Sequence, residues 1–298
     1  MKRRSRVALV FTFAAATLVA CGGNQSESTA PEDGAQESPG AQASPETVEI
    51  AALDYSFEAP ETITGGLVEF SFTNRGQEPH FFGLAAIPEG NTFDEVKGAL
   101  TAAPPAEGPP TGPPPFEDFG GIAAGDPGVS GTASMNLPAG SYVFYCLIPS
   151  PDGVSHANKG MIKQMEVTEG PEGDLPEADT EHTFVATDFA FDKNFSAEPG
   201  DNVFRIRNEG RQLHEINLVE MAADKTMDDL IEWHRQPQGP PPARFLAGVA
   251  IKPGEEATTT LEVADGQSYA FICAIPDVLG DFAPHIVKGM HTEVATVS

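Results

Sequence analysis

The feature that most constrains this chain is that it is written twice. Placing His80 over His214, an offset of 134, lays ALDYSF (52–57) over ATDFAF (186–191), and FTNRG (72–76) over IRNEG (206–210). The same offset puts TFDEV (92–96) over TMDDL (226–230). Past the next loop the offset is 127, where GPPP (112–115) meets GPPP (239–242) and SYVFYC (141–146) meets SYAFIC (268–273). After the cysteines it settles at 129, with HANKGM (156–161) over HIVKGM (285–290). Offsets that change only inside loop-like segments describe two copies of one folding unit. Each copy has about 120 residues, long enough for a core of its own. The expected boundaries are 47–168 and 180–298, joined by EGPEGDLPEAD (169–179), whose acids and two prolines suit an exposed connector.

Within each copy the pattern is mostly that of strands. TVEIAAL, LVEFSFTN, SYVFYCL and MIKQMEVT in the first copy alternate or cluster β-branched and aromatic residues between Gly, Pro and Asn breaks. NVFRIRN, HEINLVE, TTTLEV and SYAFICA do so in the second. Short strands of this kind predict an all-β, two-sheet sandwich for each copy. One short helix is expected to interrupt each, because Thr92 with Glu95 and Thr226 with Asp229 have the spacing of a helix-capping pair. The proline-rich stretch from Pro104 to Pro115 reads as a structural loop, since GPPP recurs at the same place in both copies.

The first residues carry Lys2, Arg3, Arg4 and Arg6 before an apolar run from Val7 to Ala20. That run is too short to span a bilayer and reads as an export signal over 1–20. Leu18-Val19-Ala20-Cys21 resembles the lipobox of bacterial lipoproteins. The resemblance implies cleavage before Cys21, lipidation of that residue, and a protein held on the outer face of the cell membrane by its acyl chains. Residues 22–46 are rich in Gly, Ser, Pro, Gln, Ala and Glu, so 21–46 is expected to be the lipidated cysteine and a disordered tether. The chain has 17 Lys+Arg against 44 Asp+Glu; without the four cations of the signal, 13 remain against 44, a formal charge of −31. That balance argues against nucleic acid and electrostatic adhesion to anionic lipid, and permits a basic protein partner or only solubility outside the cell.

There are three cysteines, and the anchor takes Cys21. On count alone Cys146 and Cys273 could form a disulfide, as exported proteins often do. Their surroundings argue otherwise. Period-two alternation points Tyr142, Phe144 and Cys146 to one face, and Tyr269, Phe271 and Cys273 repeat this, so each cysteine projects inward at the end of an aromatic-lined strand. A loop follows each, then His-x-x-x-x-Met with Gly160 or Gly289 just before the methionine. Upstream, His80 and His214 each head an apolar stretch. Two imidazoles, a thiolate and a weak axial thioether are the donor types of a type 1 copper site. Four such residues in one order, found twice, are hard to explain as packing alone. The other histidines, His182, His234 and His291, carry no role.

At this point the sequence resembles the cupredoxin (blue copper) family, over essentially all of both copies. The family's G-x-Y-x-F-x-C…H-x-x-x-x-M signature appears as Gly140-Ser141-Tyr142-Val143-Phe144-Tyr145-Cys146…His156…Met161. The second copy gives Tyr269, Phe271, Cys273, His285 and Met290, with Gly266 one place early. The resemblance implies two tandem Greek-key β-sandwiches and two copper ions. His80, Cys146, His156 and Met161 would ligate one copper; His214, Cys273, His285 and Met290 would ligate the other. It also implies that the second histidine, His156 or His285, lies at the solvent edge and passes the electron. The loops depart from those of small blue copper proteins: nine residues separate Cys146 from His156 and eleven separate Cys273 from His285.

The expected function is one-electron transfer by a membrane-anchored carrier, with redox proteins or a copper donor or acceptor as partners. Copper carriage or storage uses the same soft ligands and stays open, as does a metal-free binding module. A copper oxidase or nitrite reductase fits less well. Those families use histidines adjacent to the ligand cysteine, where this chain has Tyr145, Leu147, Ile272 and Ala274.

Overall fold

The computed structural model describes residues 45–102, 112–192 and 194–296. Cys21, the signal and the tether as far as residue 44 lie outside them, as does most of the proline-rich loop; the last tether residue, Glu46, already belongs to the first strand.

The first copy supplies nine strands: β1 (Glu46–Leu53), β2 (Ser56–Glu58), β3 (Thr62–Thr64), β4 (Gly66–Asn74), β5 (His80–Ala86), β6 (Glu117–Gly125), β7 (Ser130–Leu137), β8 (Gly140–Tyr145) and β9 (Ile162–Thr168). The second repeats them in order: β10 (Thr183–Thr187), β11 (Ala190–Phe191), β12 (Phe195–Ala197), β13 (Gly200–Asn208), β14 (His214–Met221), β15 (Ala243–Ile251), β16 (Glu256–Val263), β17 (Tyr269–Ile272) and β18 (His291–Thr296). One helix follows the fifth strand of each copy, α1 (Phe93–Thr101) and α2 (Met227–Arg235). Both begin where the sequence signals it. The Thr92 hydroxyl accepts from Glu95 N–H while the Glu95 carboxylate accepts from Thr92 N–H, and Thr226 with Asp229 does the same.

The all-β sandwich is present in both copies, and the two copies share their sheets. One sheet of eight strands runs β11-β10-β13-β16-β7-β4-β1-β2, and one of ten runs β12-β18-β17-β14-β15-β6-β5-β8-β9-β3. Read outward from the middle, each sheet has the same order in both directions. At the centre β15 pairs antiparallel with β6, Val249 opposite Ile122, and Thr258 of β16 lies opposite Ser134 of β7. At the offset of 127, Val249 is the counterpart of Ile122 itself, so a local two-fold axis passes between these residues. Buried side chains of both copies form one apolar cluster, including Phe70, Phe82 and Phe144 with Phe184, Phe204 and Phe271.

The connector is tied down as well as exposed. Leu67 N–H donates to Pro171 O (3.0 Å), Asn136 Nδ2 donates to Gly173 O (2.9 Å) and Arg205 Nη2 donates to Pro176 O (3.0 Å).

Strand β8 shows how the fold shapes the site. Tyr142, Phe144 and Cys146 enter the main core, as the alternation predicts. The opposite face is buried too, because Val143 and Tyr145 pack with Val96 and Leu100 of α1. A strand covered on both sides holds its terminal cysteine in a fixed, dry position.

Candidate metal centres

In the first copy the structure brings His80, Cys146 and His156 together, and in the second His214, Cys273 and His285; within each trio the donor atoms lie within 4.8 Å of one another. His80 and His214 open β5 and β14, and the cysteines directly follow β8 and β17. All six side chains are buried, and both cysteines are free thiols. His80 Nδ1 lies 2.9 Å from His156 Nδ1, with Cys146 Sγ 3.5 Å from the latter. His214 Nδ1 lies 3.2 Å from His285 Nδ1, with Cys273 Sγ at 3.3 Å.

Backbone bonds fix the loop ends identically in both copies. Cys146 N–H donates to Met161 O (3.1 Å), Ala157 N–H to Cys146 O (2.7 Å) and Met161 N–H to His156 O (2.9 Å). Cys273 N–H to Met290 O (3.1 Å), Ile286 N–H to Cys273 O (2.7 Å) and Met290 N–H to His285 O (3.0 Å) repeat the frame. Met161 and Met290 are thus placed beside the cysteines and buried. The two extra residues of the second loop sit at its tip, beyond the bridge Pro276–Pro284 that matches Pro149–Ser155. Loop length therefore leaves the ligand frame unchanged.

The outward-facing ring nitrogens show which way the imidazoles are held. His80 Nε2 is 3.2 Å from Asp54 Oδ1, His214 Nε2 is 3.2 Å from Asp188 Oδ1, and His156 Nε2 is 2.9 Å from Glu78 Oε2. A ring N–H donated to a carboxylate leaves the other nitrogen as a lone pair. In the first copy both Nδ1 lone pairs then point at each other beside a thiol, a repulsive arrangement that a cation would resolve. The donor set fits copper: two imidazoles and a thiol in a dry pocket, with a thioether-bearing residue next to the thiol. Gly76 and Gly210 are needed here, because a Cβ would meet His80 Nε2 at 2.6 Å or His214 Nε2 at 2.4 Å.

Burial dominates the proton equilibria. It pushes the Cys146 thiol up to about 12 and Cys273 well above the ordinary thiol range, the latter with help from the carboxylate of Glu215. It lowers His80 and His214 against the pull of Asp54 and Asp188, and takes His285 down to about 4. Burial would raise Glu78, but hydrogen bonds from Tyr55 and His156 outweigh it and leave that acid below its usual value.

One family-based expectation is corrected. His156 and His285 do not reach the solvent edge; both are 0% exposed. Tyr55 roofs His156, its ring edge-on at 5.4 Å, and Lys159 Nζ lies 4.6 Å above the tyrosine. Phe189 roofs His285 at 5.0 Å, with Lys288 Nζ 4.9 Å from its ring. The tight turns after β1 and β10 carry these rings inward, with Tyr55 and Phe189 at φ of 67° and 68°, a region non-glycine residues seldom occupy. The sequence reading missed Asp54, Asp188, Glu78 and both roof residues. For Asp54, Asp188 and the two rings the signal was present in the alignment of LDYSF with TDFAF, where the acid and the ring recur at one offset; Glu78 had no such signal, because Gln212 stands at its counterpart. His182, His234 and His291 lie outside both groups, with His182 Nε2 3.1 Å from Ser196 O and His234 Nδ1 2.9 Å from Leu230 O.

No family model and no curated protein matches the chain. Among solved structures it is similar to dithionite-reduced auracyanin from Roseiflexus castenholzii, at 24% identity over 42% of this chain and 99% of that one, with a TM-score of 0.28. It is also similar to auracyanin A, a blue copper protein from Chloroflexus aurantiacus (18% identity, 42% and 100% covered, TM-score 0.29). A third is copper nitrite reductase from Nitrosomonas europaea (15% identity, 86% and 94% covered, TM-score 0.26).

Proposed function

We propose that this chain carries single electrons through two type 1 copper centres. The observation that carries the reading is the duplicated convergence of two Nδ1 atoms and a thiol inside a dry core. Bound copper would supply a one-electron couple. The chain's own residues do the rest. Asp54, Asp188 and Glu78 orient imidazoles, the Phe81 N–H lies 3.5 Å from Cys146 Sγ as a donor to the thiolate, and the aromatic roofs exclude water. A ligand frame locked by backbone bonds changes little between oxidation states, which favours electron transfer over ligand exchange. Copper-loaded protein should show the intense thiolate-to-copper visible band and a reversible redox wave; absence of the band defeats the reading. Tight binding without a reversible wave, with Cu(I) passed to an acceptor, would establish carriage instead.

A catalytic reading needs a second kind of metal site, and the cysteines are flanked by Tyr145, Leu147, Ile272 and Ala274. Oxygen or nitrite consumption with a reduced dye tests it. For the partner, the proposal is a basic redox protein docking at the loop tips. Val154, Val278 and Leu279, exposed apolar side chains, all lie in the Cys-to-His loops of a strongly acidic chain. The lipid anchor at Cys21 and the extracytoplasmic location are proposed from the sequence. Cys21→Ala should release the protein from membranes.

A further inference from the structure

The next step rests on the two-copper reading and deepens it. We propose that the two centres differ in reduction potential, site one (His80, Cys146, His156) lying below site two (His214, Cys273, His285), with Glu78 setting the order through His156. A single electron on the chain then resides in site two.

The argument is the charge behind each imidazole. In site one, Asp54 stands behind His80 and Glu78 behind His156. Asp54 accepts from the Gln77 and Glu78 N–H groups (2.8 and 3.3 Å) and Glu78 from Tyr55 OH (2.7 Å), and among the described residues neither acid is paired with a lysine or arginine. Both negative charges therefore act on the ligands. In site two the same framework is neutralised. Arg211 occupies the place of Gln77 and its Nε lies 2.7 Å from Asp188 Oδ2. Gln212 replaces Glu78 and turns its amide to Asp277 (2.9 Å), which also binds Lys288. His285 Nε2 is left buried without a hydrogen-bond partner among the described residues. A carboxylate accepting the outer N–H makes an imidazole a stronger donor, and its charge favours the more positive metal state. Both effects stabilise oxidised copper in site one and are reduced or missing in site two.

One group works in the other direction. Glu215, next to His214, is buried with its carboxyl accepting from Ala274 N–H (2.8 Å), and its place in site one is taken by Phe81. Its hydrogen bond goes to that backbone group rather than to an imidazole, and Glu215→Gln takes its charge out of the comparison.

The experiment is a spectroelectrochemical titration of the copper-loaded full chain, run with and without Glu215→Gln, with Cys146→Ser and Cys273→Ser used to tell the bands apart. Two midpoints are expected, site one lower, separated by at least tenfold in the equilibrium between the two singly reduced forms, about 59 mV for one electron. Glu78→Gln should raise site one alone by a comparable factor, and Gln212→Glu should lower site two. Coincident midpoints, the reverse order, or a site-one midpoint indifferent to Glu78→Gln overturns the inference while both blue bands persist. Loss of the bands in the unmutated chain overturns the electron-transfer reading itself.

Discussion

The two centres place equivalent atoms at their hearts and different charges around them. His80, Cys146 and His156 superpose by sequence on His214, Cys273 and His285, and the backbone bonds that hold the loop ends are the same to within about 0.1 Å. One step outward, Tyr55 becomes Phe189, Gln77 becomes Arg211, Glu78 becomes Gln212 and Phe81 becomes Glu215. Converging donors tolerate little displacement, so duplication left them alone. The surrounding groups act through charge and hydrogen bonds, and these could change without moving a ligand. The comparison separates what builds a centre from what tunes it.

The sharpest way to break that comparison is to ask whether the lobes are independent at all. Phe144 is fully buried between Phe57 (5.4 Å) and Phe82 (5.5 Å) in the first copy. Phe144→Ala should cost about 3–5 kcal/mol. The chain's single tryptophan, Trp233, lies on α2 in the second copy and should report the loss, because the sheets run through both. Denaturant unfolding followed by Trp233 fluorescence checks this; an unshifted midpoint would show two separately folding lobes.

A smaller effect belongs to Glu215. Its carboxyl is raised from an unfolded value near 4.5 to about 7, so above pH 7 the fold must bury a charge that the unfolded chain keeps in water. Glu215→Gln should stabilise the apoprotein at pH 8 by up to about 3 kcal/mol. As pH falls from about 7 to 4.5 the native acid becomes neutral and the gain should fade. Urea titrations across that range test the sign, and no equivalent effect exists at Phe81.

Metal uptake should sharpen the shared part. Each thiol is held protonated by burial, so binding must release its proton, and apparent affinity should rise about tenfold per pH unit at each centre. Calorimetry in buffers of different ionisation enthalpy counts the protons. The smallest expected effect is Tyr55→Phe, which removes the 2.7 Å hydrogen bond to Glu78 and makes the first roof resemble the second. It should cost about 1 kcal/mol in stability, read from thermal unfolding.

Much of this was legible beforehand. The duplication, the main strands, both capped helices and the inward cysteines follow from periodicity and spacing. What escaped was the seam. FGGIAAG (119–125) does not read as a strand because its glycines carry no β signal. Yet a Cβ at Gly120 would meet Ala250 O at 2.1 Å, and one at Gly121 would meet Phe82 O at the same distance. Close backbone approach selects glycine there, and composition alone cannot distinguish that from a loop. The carboxylates behind the imidazoles escaped for a different reason. Asp54 lies 26 residues before His80 and becomes its neighbour only when the turn after β1 closes over the site.

The seam also governs how a single centre can be studied. Cutting the chain between the copies would bare the edges of β6 and β7 on one half and of β15 and β16 on the other, rows of unpaired amides ready to template a partner. Because the axis between Ile122 and Val249 makes the two edges near-equivalents, a liberated half should find another half like itself and close as a symmetric pair.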